Sequence, residues 1–291
     1  MCGIVGLFLK DTVLEPQFGR LLAGMLEVMT DRGPDSAGFA IYRDGDPTRR
    51  KFTLRGRDLE LVAGAIGCGV TGIVRDTHLV LSFANEEEDL IRRWLAEERP
   101  DLVVVGAGPR IELFKEVGLP ADVGSRFGLA SMSGTHGIGH TRMATESAVT
   151  TAGAHPFSTG PDQCLVHNGS LSNHRSLRRM LEPEGIHFAT DNDSEVAAGY
   201  LSWKLREGAT LPQALESSLD DLDGFFTFVV GTEAGFAVVR DAFACKPAVM
   251  AETDRYVAFG SEYRALIGLP GIEQARVFEP EPARVYAWER N

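Results

Sequence analysis

The sequence predicts an α+β layer fold, in which two packed sheets carry helices on their outer faces. Three observations point to it. Short apolar runs of strand length recur late in the chain at Phe225–Val230, Phe236–Arg240, Ala248–Ala251, Tyr256–Phe259 and Val285–Trp288. Tight turns separate them, as in antiparallel sheet. Three segments with helical spacing, at 172–181, 193–206 and 211–222, stand together just before those strands rather than alternating with them. At 291 residues the chain can bury a sizeable core, as one large domain or two small ones.

Taken in order, residues 4–9 read as a buried strand, with Gly3 and Gly6 permitting close backbone approach. Pro16–Thr30 carries Phe18, Leu21, Leu22, Met25, Leu26 and Met29 at helical spacing. Asp31–Ser36 is turn-rich, and Ala37–Tyr42 is a second strand, broken by Asp44-Gly45-Asp46-Pro47. Thr77–Phe83 reads as a strand and Asn85–Glu98 as a helix with Leu90, Ile91, Trp94 and Leu95 on one face. Leu102–Val105 is a further apolar strand, and Ile111–Val117 is expected to be a short helix. Residues 51–131 together suggest an inserted α/β subdomain or a lid. A strand then runs from Gly134 to Arg142, His155-Pro156-Phe157 turns, and Cys164–Val166 is a buried strand leading into His167-Asn168-Gly169.

Composition excludes several classes. The net charge is −12 without a Lys/Arg cluster, which argues against nucleic acid or an anionic membrane as partner. No apolar run approaches the length of a membrane span, and the N-terminus lacks a basic region followed by an apolar stretch. Cys2, Cys68, Cys164 and Cys245 show neither metal-ligand spacing nor a disulfide framework, so a reducing, cytoplasmic setting is expected. His140, His155 and His167 lack ligand spacing and read as turn or core histidines, so no metal is expected.

The chemistry is expected at the start of the chain. Removal of Met1 would leave Cys2 with a thiol and a free α-amine, whose unperturbed pKa is roughly 7.7–8.0. Such an amine can serve as base for its own side chain. An attack by sulfur on a carbonyl needs oxyanion donors, which Asn168 and Gly169 could supply at the end of a buried strand; an ordinary Asn-Gly turn fits the same residues. Arg142 closes an apolar strand, where a substrate carboxylate would satisfy its charge; so would an internal partner such as Glu146 or Asp193. Asp193 opens a helix, where it could be an N-cap or hold a substrate ammonium. An Arg and an Asp together suit an amino-acid zwitterion.

These residues carry a resemblance. Met1-Cys2-Gly3-Ile4-Val5-Gly6, Arg32-Gly33-Pro34-Asp35-Ser36, Gly139-His140-Thr141-Arg142, His155-Pro156-Phe157, His167-Asn168-Gly169 and Asp193-Ser194-Glu195 occur in that order, and Arg240-Asp241, Lys246-Pro247 and Phe259-Gly260-Ser261-Glu262 follow. The set resembles the class II glutamine amidotransferase domain of the N-terminal nucleophile hydrolases. The resemblance implies a four-layer αββα sandwich of two antiparallel sheets, a single domain over 1–291 with 51–131 as its insertion, and hydrolysis of the glutamine side-chain amide. It implies Cys2 as nucleophile, Asn168 and Gly169 as oxyanion donors, Arg142 on the glutamine carboxylate and Asp193 on its ammonium. Arg32 enters the substrate-binding set as a supporting residue near the nucleophile. Met143 stands where the family often has Trp, and Glu146-Ser147 where it often has His-Gly, which alters the glutamine loop.

Members usually carry a second, ammonia-using domain, for which this length leaves no room. Ammonia is therefore expected to pass to a separate synthase subunit in a hetero-oligomeric complex, since only unprotonated ammonia is nucleophilic. Lys115–Pro120 resembles the glutamate-synthase-like branch, with the amidotransferase subunit of N-methylglutamate synthase as the nearest match. No cofactor is then expected on this chain and a flavin on a partner subunit. Two other readings remain: an N-terminal Cys acylase acting on a different amide, and a degenerate subunit that only binds a partner.

Overall fold

The structure, a computed structural model, describes residues 2–67, 69–144 and 148–290. The state of Met1, the thiol of Cys68 and the Glu146-Ser147 departure lie outside the described residues. Strands β1 (Gly3–Leu9), β2 (Ser36–Tyr42), β3 (Arg49–Arg55), β4 (Thr71–Arg75), β5 (His78–Ala84), β6 (Val103–Gly108) and β7 (Ile111–Val117) occupy the first part of the chain. Strands β8 (His136–Arg142), β9 (Phe157–Gly160), β10 (Gln163–Leu171), β11 (Gly224–Gly231) and β12 (Gly235–Arg240) follow. Strands β13 (Val249–Glu252), β14 (Tyr256–Gly260), β15 (Arg276–Phe278) and β16 (Tyr286–Glu289) close it. The helices are α1 (Phe18–Glu27), α2 (Val62–Ile66), α3 (Glu88–Glu98), α4 (Pro120–Phe127), α5 (His174–Leu181), α6 (Asp193–Arg206) and α7 (Leu211–Asp221).

Two antiparallel sheets form the body, in the orders β15-β13-β14-β1-β8-β2-β7 and β16-β12-β11-β10-β9. Period-two alternation in β1 decides how they stack. Val5, Leu7 and Leu9 face outward onto α1, which presents Phe18, Leu21, Leu22, Met25 and Leu26 from one side. Ile4 and Phe8 face inward, where they meet Val166, Val229, Phe236 and Val238 of the second sheet. At Gly6 a Cβ would lie 2.5 Å from the Phe236 ring, so the intersheet packing requires glycine there. The outer face of the second sheet is covered by α5, α6 and α7 through Leu177, Val196, Tyr200, Leu201 and Leu215. Four layers result, helix, sheet, sheet and helix, and the expected αββα sandwich is the observed fold.

The chain between β2 and β7 forms a third sheet. Strands β4-β5-β3-β6 enclose Phe52, Leu54, Leu79, Leu81 and Phe83 against Ile91 and Leu95 of α3. Residues 111–127 rejoin the main body: β7 pairs with β2 along its whole length, and α4 packs Phe127 on Phe114. The short helix expected at Ile111–Val117 is therefore a strand. Its charged residues are accommodated in the sheet: Glu112 is neutralised by Lys51 at 3.1 Å and Arg43 at 3.2 Å. Lys115 is buried, and its ammonium donates to the carbonyls of Ala152, Ala154 and Pro156. No helix among the described residues is long and apolar enough to cross a membrane.

Candidate active site

The strand register brings the predicted residues together. β1 and β8 are neighbours with Gly3 opposite Thr141, so Cys2 lies beside the end of β8, at Arg142 and Met143. β2 flanks β8 with Ser36 opposite Arg142, which carries the preceding Arg32 turn to the same end. From the second sheet, β10 delivers Asn168 and Gly169, and the start of α6 delivers Asp193. Cys2, Arg32, Arg142, Asn168, Gly169 and Asp193 all line one cavity of about 680 Å³.

Cys2 is held from both sides. The Met143 N–H points at its Sγ at 3.4 Å. Its carbonyl accepts from Arg32 Nε at 3.0 Å and from Asn168 Nδ2 at 3.1 Å. The predicted oxyanion donor is thus bonded to the backbone of the nucleophilic residue and, at 3.3 Å, to Ser261 Oγ. Gly169 has φ +156, and a Cβ there would stand 2.0 Å from the Phe225 carbonyl. Only glycine lets β10 approach β11 so closely while its backbone lines the cavity.

Both members of the zwitterion pair line the cavity. Arg142 is buried, and its Nη1 donates to the Ala148 carbonyl at 3.3 Å. The alternative partner Glu146 lies outside the described residues. Asp193 is not the N-cap of α6: Asn192 takes that place, accepting from Ser194 N at 2.9 Å. Asp193 accepts instead from Leu171 N through Oδ2 at 2.9 Å and from the Ser194 hydroxyl through Oδ1 at 3.3 Å.

Three histidines back the cavity and share one electrostatic state. His140 stacks on His155 at 4.0 Å and its Nε2 meets the His167 carbonyl at 3.2 Å. Burial pushes His140 down to about 3 and His167 to about 4, and also pulls His155 well below its ordinary value. All three rings are neutral near neutral pH, because the charged form would lose its hydration. The 3.9 Å approach of His167 Nδ1 to Asp193 is for that reason not an ion pair, and its closer partner is Ser194 Oγ at 2.9 Å. No group of three or more His, Cys, Asp or Glu among the described residues has the geometry to hold a metal.

Sequence reasoning missed the supports behind the walls. Glu195 accepts from Ala189 N and Thr190 N, each at 2.8 Å, and shapes the Thr190–Asp193 wall. Lys115 and Glu116, on β7, hold the opposite wall through the carbonyls above and the Thr151 hydroxyl. Burial brings the Lys115 amine down to about 7. Ser261 and Glu262 reach the donors on the Cys2 carbonyl. The only sequence signal for these would have been polar residues inside apolar runs. Cys2, Cys164 and Cys245 are free thiols.

Comparison with known proteins agrees with this arrangement. Residues 140–268 match the model of a glutamine amidotransferase domain. The chain is 62% identical over 99% of its length, and 98% of the relative's, to a protein named glutamine amidotransferase-like protein GlxB from Rhizobium meliloti. It is 34% identical over 98% of its length, and 99% of the relative's, to a putative glutamine amidotransferase of Methanothermobacter thermautotrophicus. Among solved structures, the glutamine phosphoribosylpyrophosphate amidotransferase of B. subtilis shares the fold, with a TM-score of 0.64 at 20% identity. That match covers 99% of this chain and 47% of the other.

Proposed function

This chain belongs to the class II glutamine amidotransferases, and from that premise we propose that it is a glutaminase subunit that hands ammonia to a separate synthase. The observation that carries the reading is the convergence on Cys2: its carbonyl accepts from Arg32 and Asn168 while Arg142 and Asp193 line the same cavity. With Met1 removed, the α-amine takes the thiol proton as Sγ attacks the side-chain amide carbon of glutamine. The oxyanion receives hydrogen bonds from Asn168 Nδ2 and the Gly169 N–H, each such donor contributing roughly 2.7–4 kcal/mol. Collapse breaks the C–N bond, the ammonium at the N-terminus protonates the leaving nitrogen, and ammonia departs from a γ-glutamyl thioester. The same amine then activates a water that opens the thioester to glutamate and restores the thiol. Arg142 fixes the substrate carboxylate and Asp193 its ammonium, which together demand a free amino acid.

Within the family, the Lys115–Pro120 region supports assignment as the amidotransferase subunit of N-methylglutamate synthase, with the flavin on a partner subunit; another glutamate-synthase-like enzyme is the nearest alternative. The test compares glutamine with Nα-acetylglutamine and acylated amino acids. Glutamate and ammonia released from glutamine alone, and abolished by Cys2→Ala, is the expected result. Cleavage of the acylated compounds in preference to glutamine would favour the acylase reading. For the complex, purification from the native source should bring down flavin-bearing chains with this one; their absence would count against the assignment.

A further inference from the structure

A nucleophile at the end of a chain has a positioning problem that internal nucleophiles lack. No preceding residue holds its nitrogen side, and chain ends fray unless tied down. The tether must come through its carbonyl and the strand that follows. Cys2 has such a tether, and its two donors trace back to one dipeptide directly after β14. Ser261 is buried; its Oγ accepts from Asn168 Nδ2 at 3.3 Å and from Ile4 N at 2.9 Å, and its own N–H donates to the Ile4 carbonyl at 2.9 Å. Glu262 Oε1 accepts from Arg32 Nη1 at 2.7 Å. Its Oε2 meets Arg264 Nε at 2.6 Å, and Arg264 Nη1 reaches Asp31 at 3.2 Å. The turn carrying Arg32 is therefore gripped at two consecutive residues by the 262–264 segment.

We propose that Ser261 and Glu262 are positioning residues for the terminal nucleophile: Ser261 orients Asn168 and anchors Ile4, Glu262 orients Arg32, and together they fix the Cys2 carbonyl. The inference rests on the glutaminase reading and names what holds its reacting group in place. Glu262 has an electrostatic part as well. It is ionised, since hydrogen bonding from Arg32 holds its carboxyl below the ordinary value. It offsets part of the Arg32 charge that faces Cys2, with Arg264 and Asp31 the other charges in the cluster. Displacement of a reacting atom by about 1 Å can cost about a hundredfold in rate, so loss of this support should be read in turnover and not in substrate affinity.

Glu262 is the site to test, because its side chain is 32% exposed and can be altered without opening the core. Glu262→Ala and Glu262→Gln are assayed with glutamine between pH 5.5 and 9. In parallel, the rate of Cys2 alkylation by iodoacetamide is followed by peptide mass spectrometry. Glu262→Ala should lower kcat at least about tenfold with KM within about twofold, and should change the Cys2 alkylation rate. Glu262→Gln keeps an acceptor for Arg32, so it should recover most of kcat while the acid limb of the pH profile moves down by about half a unit. Ser261→Ala should repeat the kcat loss. Wild-type kcat and wild-type alkylation in Glu262→Ala would overturn the inference, as would a change confined to KM. A wild-type protein that released no glutamate would strike the glutaminase reading instead, and the alkylation rates would still decide whether Glu262 positions Cys2.

Discussion

Acidification should unfold this protein well above the pH at which its carboxylates titrate. Five of its seven histidines, His78, His136, His140, His155 and His167, are buried. Burial lowers each: His78 and His140 to about 3, His136 and His167 to about 4, and His155 well below its ordinary value. In the unfolded chain they titrate near 6.5. Between about pH 6.5 and 4 the unfolded state therefore binds more protons than the folded one, so the histidine contribution is nearly intact above 6.5 and is lost as pH falls. At pH 5 each of His78, His136, His140 and His167 favours the unfolded chain by about 2 kcal/mol, on the order of 8 kcal/mol together, and His155 acts in the same direction. That matches the whole stability of a typical domain, about 5–15 kcal/mol. Lys115 acts in a different window: its amine, lowered to about 7, makes stability rise with pH between about 7 and 10.5 and contributes no slope at acid pH. Urea unfolding at pH 7, 6, 5.5 and 5 measures the effect. The expected slope is about 2 kcal/mol per pH unit at pH 7 and steepens below 6.5 to more than about 5. Equal stability at pH 7 and 5 would refute the claim that these rings are held neutral.

Two substitutions probe the cavity. Asp193→Asn keeps an acceptor for Leu171 N but removes the charge facing the ammonium, so kcat/KM for glutamine should fall about 10- to 150-fold, mostly in KM, with an unchanged melting temperature; equal kcat/KM would remove Asp193 from substrate binding. Gly169→Ala forces a Cβ to within 2.0 Å of the Phe225 carbonyl at φ +156, so β10 must shift; a fall in kcat of about a hundredfold or more and a loss of about 1–3 kcal/mol by denaturant unfolding are expected.

What the sequence disclosed was the part with local periodicity or an unusual position. The alternation in β1, the stripe on α1 and the helices behind the second sheet are short-range patterns, and they appear where expected. Cys2 is marked by its place at the chain start, Arg142, Asn168 and Gly169 by ending apolar strands, Asp193 by opening a helix and Arg32 by the family resemblance alone, and the structure gathers all six. Elements whose charges are neutralised from afar were not legible. β7 read as helix because the partners of Glu112 and Lys115 lie 61 and about 40 residues away along the chain. Arg49–Arg55 gave no strand signal, since Arg49 reaches the Ser82 carbonyl and Arg50 reaches Glu88 only in the folded chain. Ser261 and Glu262 looked like an ordinary strand end, because their partners Ile4, Asn168 and Arg32 meet them only through tertiary folding.

The central claim is a sulfur at the front of the mature chain, activated by its own amine. Active protein is treated with a glutamine analogue bearing a diazoketone in place of the amide, and its N-terminal peptide is sequenced by mass spectrometry. The account predicts a chain beginning at Cys2, one adduct on that residue, and loss of glutaminase activity in step with labelling. Full activity in protein that still carries Met1, or inactivation with the adduct on another residue, would contradict it.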